Sequence, residues 1–158
     1  MAQNQNYSIG SVRPGEISAI YPERGTARVR LPDLGVVTAE CQIVFPACTK
    51  SHDYRMPEVG ETVIVAFLGT GVETGFILGC TYTASDLVPL ADPDVRHWSM
   101  EGAGVIEMNR RTRTLVIMDS YGSVIKMANG DIILKSNRFI LLNPDSVDVP
   151  AHLLTLFD

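Results

Sequence analysis

The chain lacks several features that would mark a common function. No apolar run approaches the roughly 18 residues of a membrane-spanning helix. The opening stretch Met1-Ala-Gln-Asn-Gln-Asn-Tyr7 is polar and has no apolar signal-peptide region, so a product made in the cytosol is expected. Basic residues are few: 13 Lys and Arg stand against 18 Asp and Glu, for a formal net charge of −5. Phosphate backbones demand clustered cations, so nucleic-acid binding is not expected. The three cysteines, Cys41, Cys48 and Cys80, make no C-x-x-C pair and no zinc spacing with the three histidines. Buried free thiols are expected instead. His52-Asp53 comes nearest to a catalytic pair, yet neighbours on an extended chain point apart. No histidine lies near a Ser or Cys nucleophile motif. Gly69-Thr-Gly71 lacks the following Lys-Ser/Thr of a phosphate loop and reads as a hairpin turn. No catalytic residue, metal ligand or cofactor is expected.

An apolar fraction of 46% is enough for a packed core, and no convincing amphipathic helix is present. From Gly15 to Thr83 the chain reads as short strands broken by turns. Glu16–Tyr21 ends at Pro22. Thr26–Leu31 alternates strictly, with Ala27, Val29 and Leu31 on one face and Thr26, Arg28 and Arg30 on the other. Val36–Phe45, Thr62–Leu68 and Thr74–Cys80 complete a set of five. Such a set predicts a small barrel of the oligonucleotide/oligosaccharide-binding (OB) class, with an SH3-like barrel as the alternative. Residues 1–14 read as an arm, 15–83 as the barrel and 84–102 as a linker. Trp98 is expected to anchor that linker on the barrel.

The second half repeats. In blocks of eight from Thr114 the sequence runs TLVIMDSY, GSVIKMAN, GDIILKSN, RFILLNPD. Val116, Val124, Ile132 and Ile140 hold the third position; Ile117, Ile125, Ile133 and Leu141 hold the fourth. An ordinary meander of hairpin strands is one reading, since Asn129-Gly130 is a favoured turn. Constant spacing favours a stacked β-helix or β-prism over residues 103–145. Adjacent aliphatic positions face opposite sides of a strand, so such a shaft needs cover on both faces. Three chains wound about one axis supply it, and an obligate homotrimer is expected, with those eight residues as its shaft core.

Three stretches carry a resemblance. They are Arg13-Pro-Gly-Glu-Ile-Ser-Ala-Ile-Tyr21 with Ala27-Arg-Val-Arg-Leu-Pro32, then Pro57-Glu-Val-Gly-Glu-Thr-Val-Ile-Val-Ala-Phe67 with Gly75-Phe-Ile-Leu-Gly79, and finally Asn109-Arg-Arg-Thr-Arg-Thr-Leu115 through Gly122. Their order resembles the central spike proteins of contractile injection machines: phage baseplate assembly protein V and its relatives in type VI secretion and tailocins. The resemblance implies an OB collar on a trimeric β-helical needle. Such a needle sits on the tail tube among baseplate hub proteins, in a virion or phage-tail-like particle, and contacts the target membrane transiently as it punctures.

The chain departs from that family at its end. Many phage spikes carry an iron-binding His-x-His apex, whereas the only late histidine here is His152. A separate tip protein, such as a Pro-Ala-Ala-Arg-repeat (PAAR-like) cone, is therefore expected. Leu153, Leu154, Leu156 and Phe157, within the tail at 146–158, are candidates to dock it; packing back onto the trimer is the alternative. An ion on the threefold axis is left open. Arg110, Arg111 and Arg113 form a basic cluster that either meets a partner or is simply a solvated turn. The competing function is an OB module binding single-stranded nucleic acid or carbohydrate, for which Tyr21, Phe45, Phe67 and Phe76 offer few stacking platforms.

Overall fold

The computed structural model describes residues 12–68 and 75–140, and the chain divides into two compact units, Met1–Val88 and Pro89–Asp158. Leu141 and the predicted tip-docking residues Leu153, Leu154, Leu156 and Phe157 lie outside the described residues, as do most of the predicted arm and Gly69-Thr-Gly71.

In the first unit, β1 (Val12–Tyr21) is long enough to serve two neighbours. Its first half pairs with β7 (Thr62–Phe67), from Val12↔Ala66 to Glu16↔Thr62. Its second half pairs with β2 (Thr26–Leu31), and the register slips between Ile17 and Ala19. A bulge of this kind bends a strand and increases its twist, which lets β1 curl from one neighbour to the other. Gly15 sits just before it; a Cβ there would lie 2.3 Å from Val29 Cγ1. The strand thus crosses β2 too closely for any side chain.

The ladder runs β1-β7-β8-β4-β2 and returns to β1, where β4 is Cys41–Ile43 and β8 is Gly75–Cys80. Five strands therefore close into a barrel, antiparallel throughout except for the parallel β4–β8 pair. This is consistent with the OB class expected from the sequence. β3 (Val36–Val37) adds to the edge of β2, and β5 (Ala47–Cys48) pairs with β6 (His52–Asp53) in a separate small hairpin.

The core is Ile17, Ala27, Val29, Leu31, Cys41, Val63, Val65, Phe67 and Ile77, all from this unit. The alternation of Thr26–Leu31 puts Ala27, Val29 and Leu31 inside, as expected, while Thr26 is buried as well because its hydroxyl donates to Glu40 at 2.8 Å.

Two strand boundaries differ from the sequence reading. β1 begins at Val12, although Pro14 and Gly15 look like breakers. Val36–Phe45 is not one strand. Thr38 interrupts it, because its Oγ1 accepts the Val29 N–H at 3.1 Å and its own N–H donates to Val29 O at 2.9 Å. A side chain there replaces a rung of the ladder.

The second unit's described residues form a five-stranded antiparallel meander of β9 (Val95–Met100), β10 (Gly104–Asn109), β11 (Thr114–Asp119), β12 (Val124–Ala128) and β13 (Asp131–Lys135), each paired with the next. Val95–Met100, placed in the linker by its surroundings, is instead the first strand of this sheet. Trp98 stands within it, with the Arg96 guanidinium 4.5 Å over its ring. The β12–β13 turn uses Asn129 (φ 54°) and Gly130 (φ 89°), both in the left-handed region that Asn-Gly tolerates.

Candidate assembly interface

Residues directly opposite in an antiparallel ladder share a face. The row through the middle of the sheet is Trp98↔Ile106↔Ile117↔Ile125↔Leu134. The neighbouring row on that face is Arg96↔Met108↔Leu115↔Met127↔Ile132. Met100, beside Gly104 and Asp119, continues it. One side of the meander therefore carries ten large apolar side chains, with Arg96 and Asp119 at its margins. Nine of the ten are exposed, at 40% to 70%.

The opposite side alternates apolar and polar groups. One of its rows is His97↔Glu107↔Val116↔Lys126↔Ile133, in which His97 Nδ1 lies 3.0 Å from a Glu107 oxygen. His97, Glu107, Val116 and Lys126 are half-buried. The distribution is inverted: the more apolar face is the more exposed one. A contiguous apolar patch of this size marks an association surface.

Of the predicted shaft residues, Ile117, Ile125 and Ile132 stand on the apolar face, and Val116, Val124 and Ile133 on the mixed one. Equal octad positions therefore do not remain on one side. The two-residue Asn129-Gly130 turn pairs Ala128 with Asp131, so Ile125 meets Leu134 and not Ile133. Ile140 is exposed beyond β13. Trp98, Met100, Ile106, Met108, Leu115, Met127 and Leu134 were missed by the repeat; the alternation within Gly104–Asn109 was the available signal for Ile106 and Met108.

The arginine cluster is largely committed within the chain. Arg110 Nε donates to Asp94 Oδ1, Arg111 Nε donates to Asp94 Oδ2 at 2.8 Å, and Arg111 Nη2 reaches Asp92 Oδ1 at 3.0 Å. Asn109 Oδ1 shapes the turn by accepting the Arg111 and Thr112 N–H groups at 2.9 and 3.0 Å. Arg113, at φ 54°, has no carboxylate partner among the described residues.

In the barrel, the aromatics offer little open platform. Phe67 is buried, Phe45 stacks on Tyr54 at 5.4 Å, and Tyr21 lies under Arg24 at 4.6 Å. Arg24 is itself held by Glu40 at 3.0 Å; hydrogen bonds from Arg24 and Thr26 hold that carboxyl below its ordinary pKa. Only Cys41 is a buried thiol; Cys48 and Cys80 are exposed, contrary to expectation, because they occupy the outer hairpin and the far end of β8. Although the residue is exposed, desolvation around its sulfur, and then the adjacent Glu61 carboxylate, push the Cys80 thiol up to about 12. His52 and Asp53 are exposed on β6.

Residues 13–82 match the family described as the type VI secretion system/phage-baseplate injector OB domain. The match spans the whole barrel, from the second residue of β1 to just past β8, and covers less than half of the chain. Similarity also extends past the barrel. The chain is 24% identical to the spike protein of Escherichia phage P2 over 143 residues, covering 86% of this chain and 67% of the phage protein. The two findings together support the baseplate spike family for the chain and a structural role in a baseplate.

Proposed function

We propose that this protein is the central spike of a contractile injection particle, made in the bacterial cytoplasm and assembled at the baseplate as a homotrimer. The observation that carries the reading is the exposed apolar face of the β9–β13 sheet. Three such sheets, apolar faces turned to a common axis, form a closed prism with the mixed faces outward. Full burial of one aliphatic side chain is worth about 1.5–3 kcal/mol, so covering the nine exposed ones returns about 9 kcal/mol per chain. Three such contributions are of the same order as the association costs they have to exceed, about 4–15 kcal/mol per step.

A shaft of this kind needs stiffness along one axis and no pocket chemistry, and hydrogen-bonded strands over a packed apolar core provide it. The trimer would cap the tail tube through hub contacts, carry a separate PAAR-like tip and help puncture the target envelope. An axial ion would need polar groups facing the axis, and Asp119 at the margin of the apolar face is the nearest candidate. Size-exclusion chromatography with light scattering tests the core of the reading. A trimer resistant to heat and detergent is expected; a well-behaved monomer at micromolar concentration overturns it.

A further inference from the structure

The barrel is not sealed along its whole height. The parallel β4–β8 pairing ends at Ile43↔Ile77, with one further bond from Val44 N–H to Ile77 O at 3.0 Å. Beyond that point β8 has no strand partner on this side among the described residues, and the strands part around a cleft of about 740 Å³. This falls within the roughly 300–1,000 Å³ range of ligand-binding clefts. Ile43 and Val44 form one wall, Gly79–Tyr82 the other, and the Pro57–Glu61 loop closes one end.

The loop is pinned in place. Ile17 N–H donates to Glu61 O at 2.9 Å and Gly60 N–H to Ile17 O at 2.8 Å, while Glu61 Oε2 accepts the Glu58 N–H at 3.0 Å. Among the described residues, strand geometry makes the β8 wall a free edge. Thr81 N–H donates to Thr62 O on the β7 side at 2.9 Å. Backbone groups alternate in direction along a strand, so the Cys80 N–H and C=O face away from β7 and into the cleft. Exposed apolar side chains flank it at Val44, Val59 and Tyr82.

We propose that this cleft receives an extended, basic segment of a different protein, which adds a short strand along Cys80–Tyr82. Backbone pairing at an open strand edge supplies affinity in such complexes, and flanking side-chain pockets supply selectivity. Charge selects the occupant. Arg55 is paired with Glu61 at 3.5 Å, which leaves Glu58 and Asp86 as the net charge of the rim. A second copy of a chain carrying a net charge of −5 is a poor match to an acidic rim. The cleft is lined by residues of the first unit alone, so its occupancy is separate from trimerisation.

The probe is a fluorescein-labelled peptide of three Lys-Val repeats, titrated into the full-length protein at low salt. Binding is read by anisotropy and located by hydrogen-exchange mass spectrometry. Saturable binding is expected, with new protection confined to Val44 and Leu78–Tyr82. Glu58→Lys should weaken it about tenfold, since this exposed side chain has no partner among the described residues, and Asp86→Asn should weaken it less. Backbone N-methylation of alternate peptide residues should abolish it. Equal binding of a Glu-Val peptide, insensitivity to methylation, protection elsewhere, or no binding up to millimolar peptide would each overturn the proposal. So would protection of the cleft that rises with protein concentration alone, which assigns it to a second copy. An Ile125→Asp chain should bind the peptide unchanged, so loss of the trimer and loss of this site are told apart.

Discussion

Replacing Ile125 with aspartate is the most direct challenge to the apolar face. Ile125 sits in the central row, flanked by Ile117 and Leu134 on the adjacent strands, and is 43% exposed in the single chain. Within one chain the change costs little: lost β propensity of up to about 1 kcal/mol. In a trimer it acts three times. Each copy forfeits about 1 kcal/mol of further burial, and each places a carboxylate in an apolar setting at several kcal/mol per ion. The three charges also repel one another. A total above about 10 kcal/mol corresponds to about seven powers of ten in the assembly constant. Light scattering should therefore show Ile125→Asp as a monomer of 17.3 kDa, or as aggregate. Circular dichroism should still report a β-rich chain, because the barrel core is untouched. Lys135→Glu, on the mixed face, is the control and should assemble normally. A trimeric Ile125→Asp with unchanged thermal stability would refute the reasoning.

Three further outcomes follow from the geometry. Gly15→Ala should lower the melting temperature by several degrees, because the new methyl would lie 2.3 Å from Val29 Cγ1 and 2.9 Å from Arg30 O, a backbone atom that cannot step aside. An unchanged melting curve would contradict the close crossing of β1 over β2. Cys80 should resist iodoacetamide at pH 8 in a Cys41→Ala, Cys48→Ala background and react only as pH approaches 12, with Glu61→Gln bringing reaction to lower pH. The sign for stability follows: the raised folded value means this contribution is intact below the ordinary thiol pKa of 9.0 and is lost as pH climbs toward 12. Arg111→Ala removes solvent-exposed pairs with Asp92 and Asp94, so chemical denaturation should register less than about 1 kcal/mol.

The barrel was readable because its strands are short, alternating and bounded by Pro and Gly. Thr26–Leu31 declared its inner face residue by residue, and Thr62–Leu68 and Thr74–Cys80 were placed nearly to their ends. What the pattern hid were choices made by single groups. Pro14 and Gly15 sit inside β1 because its close crossing over β2 leaves no room for a side chain at Gly15. Thr38 breaks an apparent ten-residue strand by hydrogen-bonding Val29. In the second unit, the apolar β-branched pairs announced a sheet, but hairpin pairing depends on turn length as well as on spacing. A two-residue turn at Asn129-Gly130 moves Ile133 to the side opposite Ile125, which a count of eight cannot reveal. β9 was concealed by the Asp-Pro-Asp run just before it. The arginine cluster was visible as charge, while its partners Asp92 and Asp94 lay in what looked like linker.

The closed barrel and the proposed sheet assembly would divide the chain's life into two stages. The barrel encloses its core with residues of one chain, so it can form at any concentration, on its own clock. The described residues leave Ile117, Ile125 and their row exposed, so in the proposed trimer completion of the β9–β13 sheet would depend on how often chains meet. In that trimer the number of copies present would be sensed during folding itself. Under the proposed assembly, a cell making too few subunits would hold unfinished ones, and a finished shaft would certify that three chains had been counted.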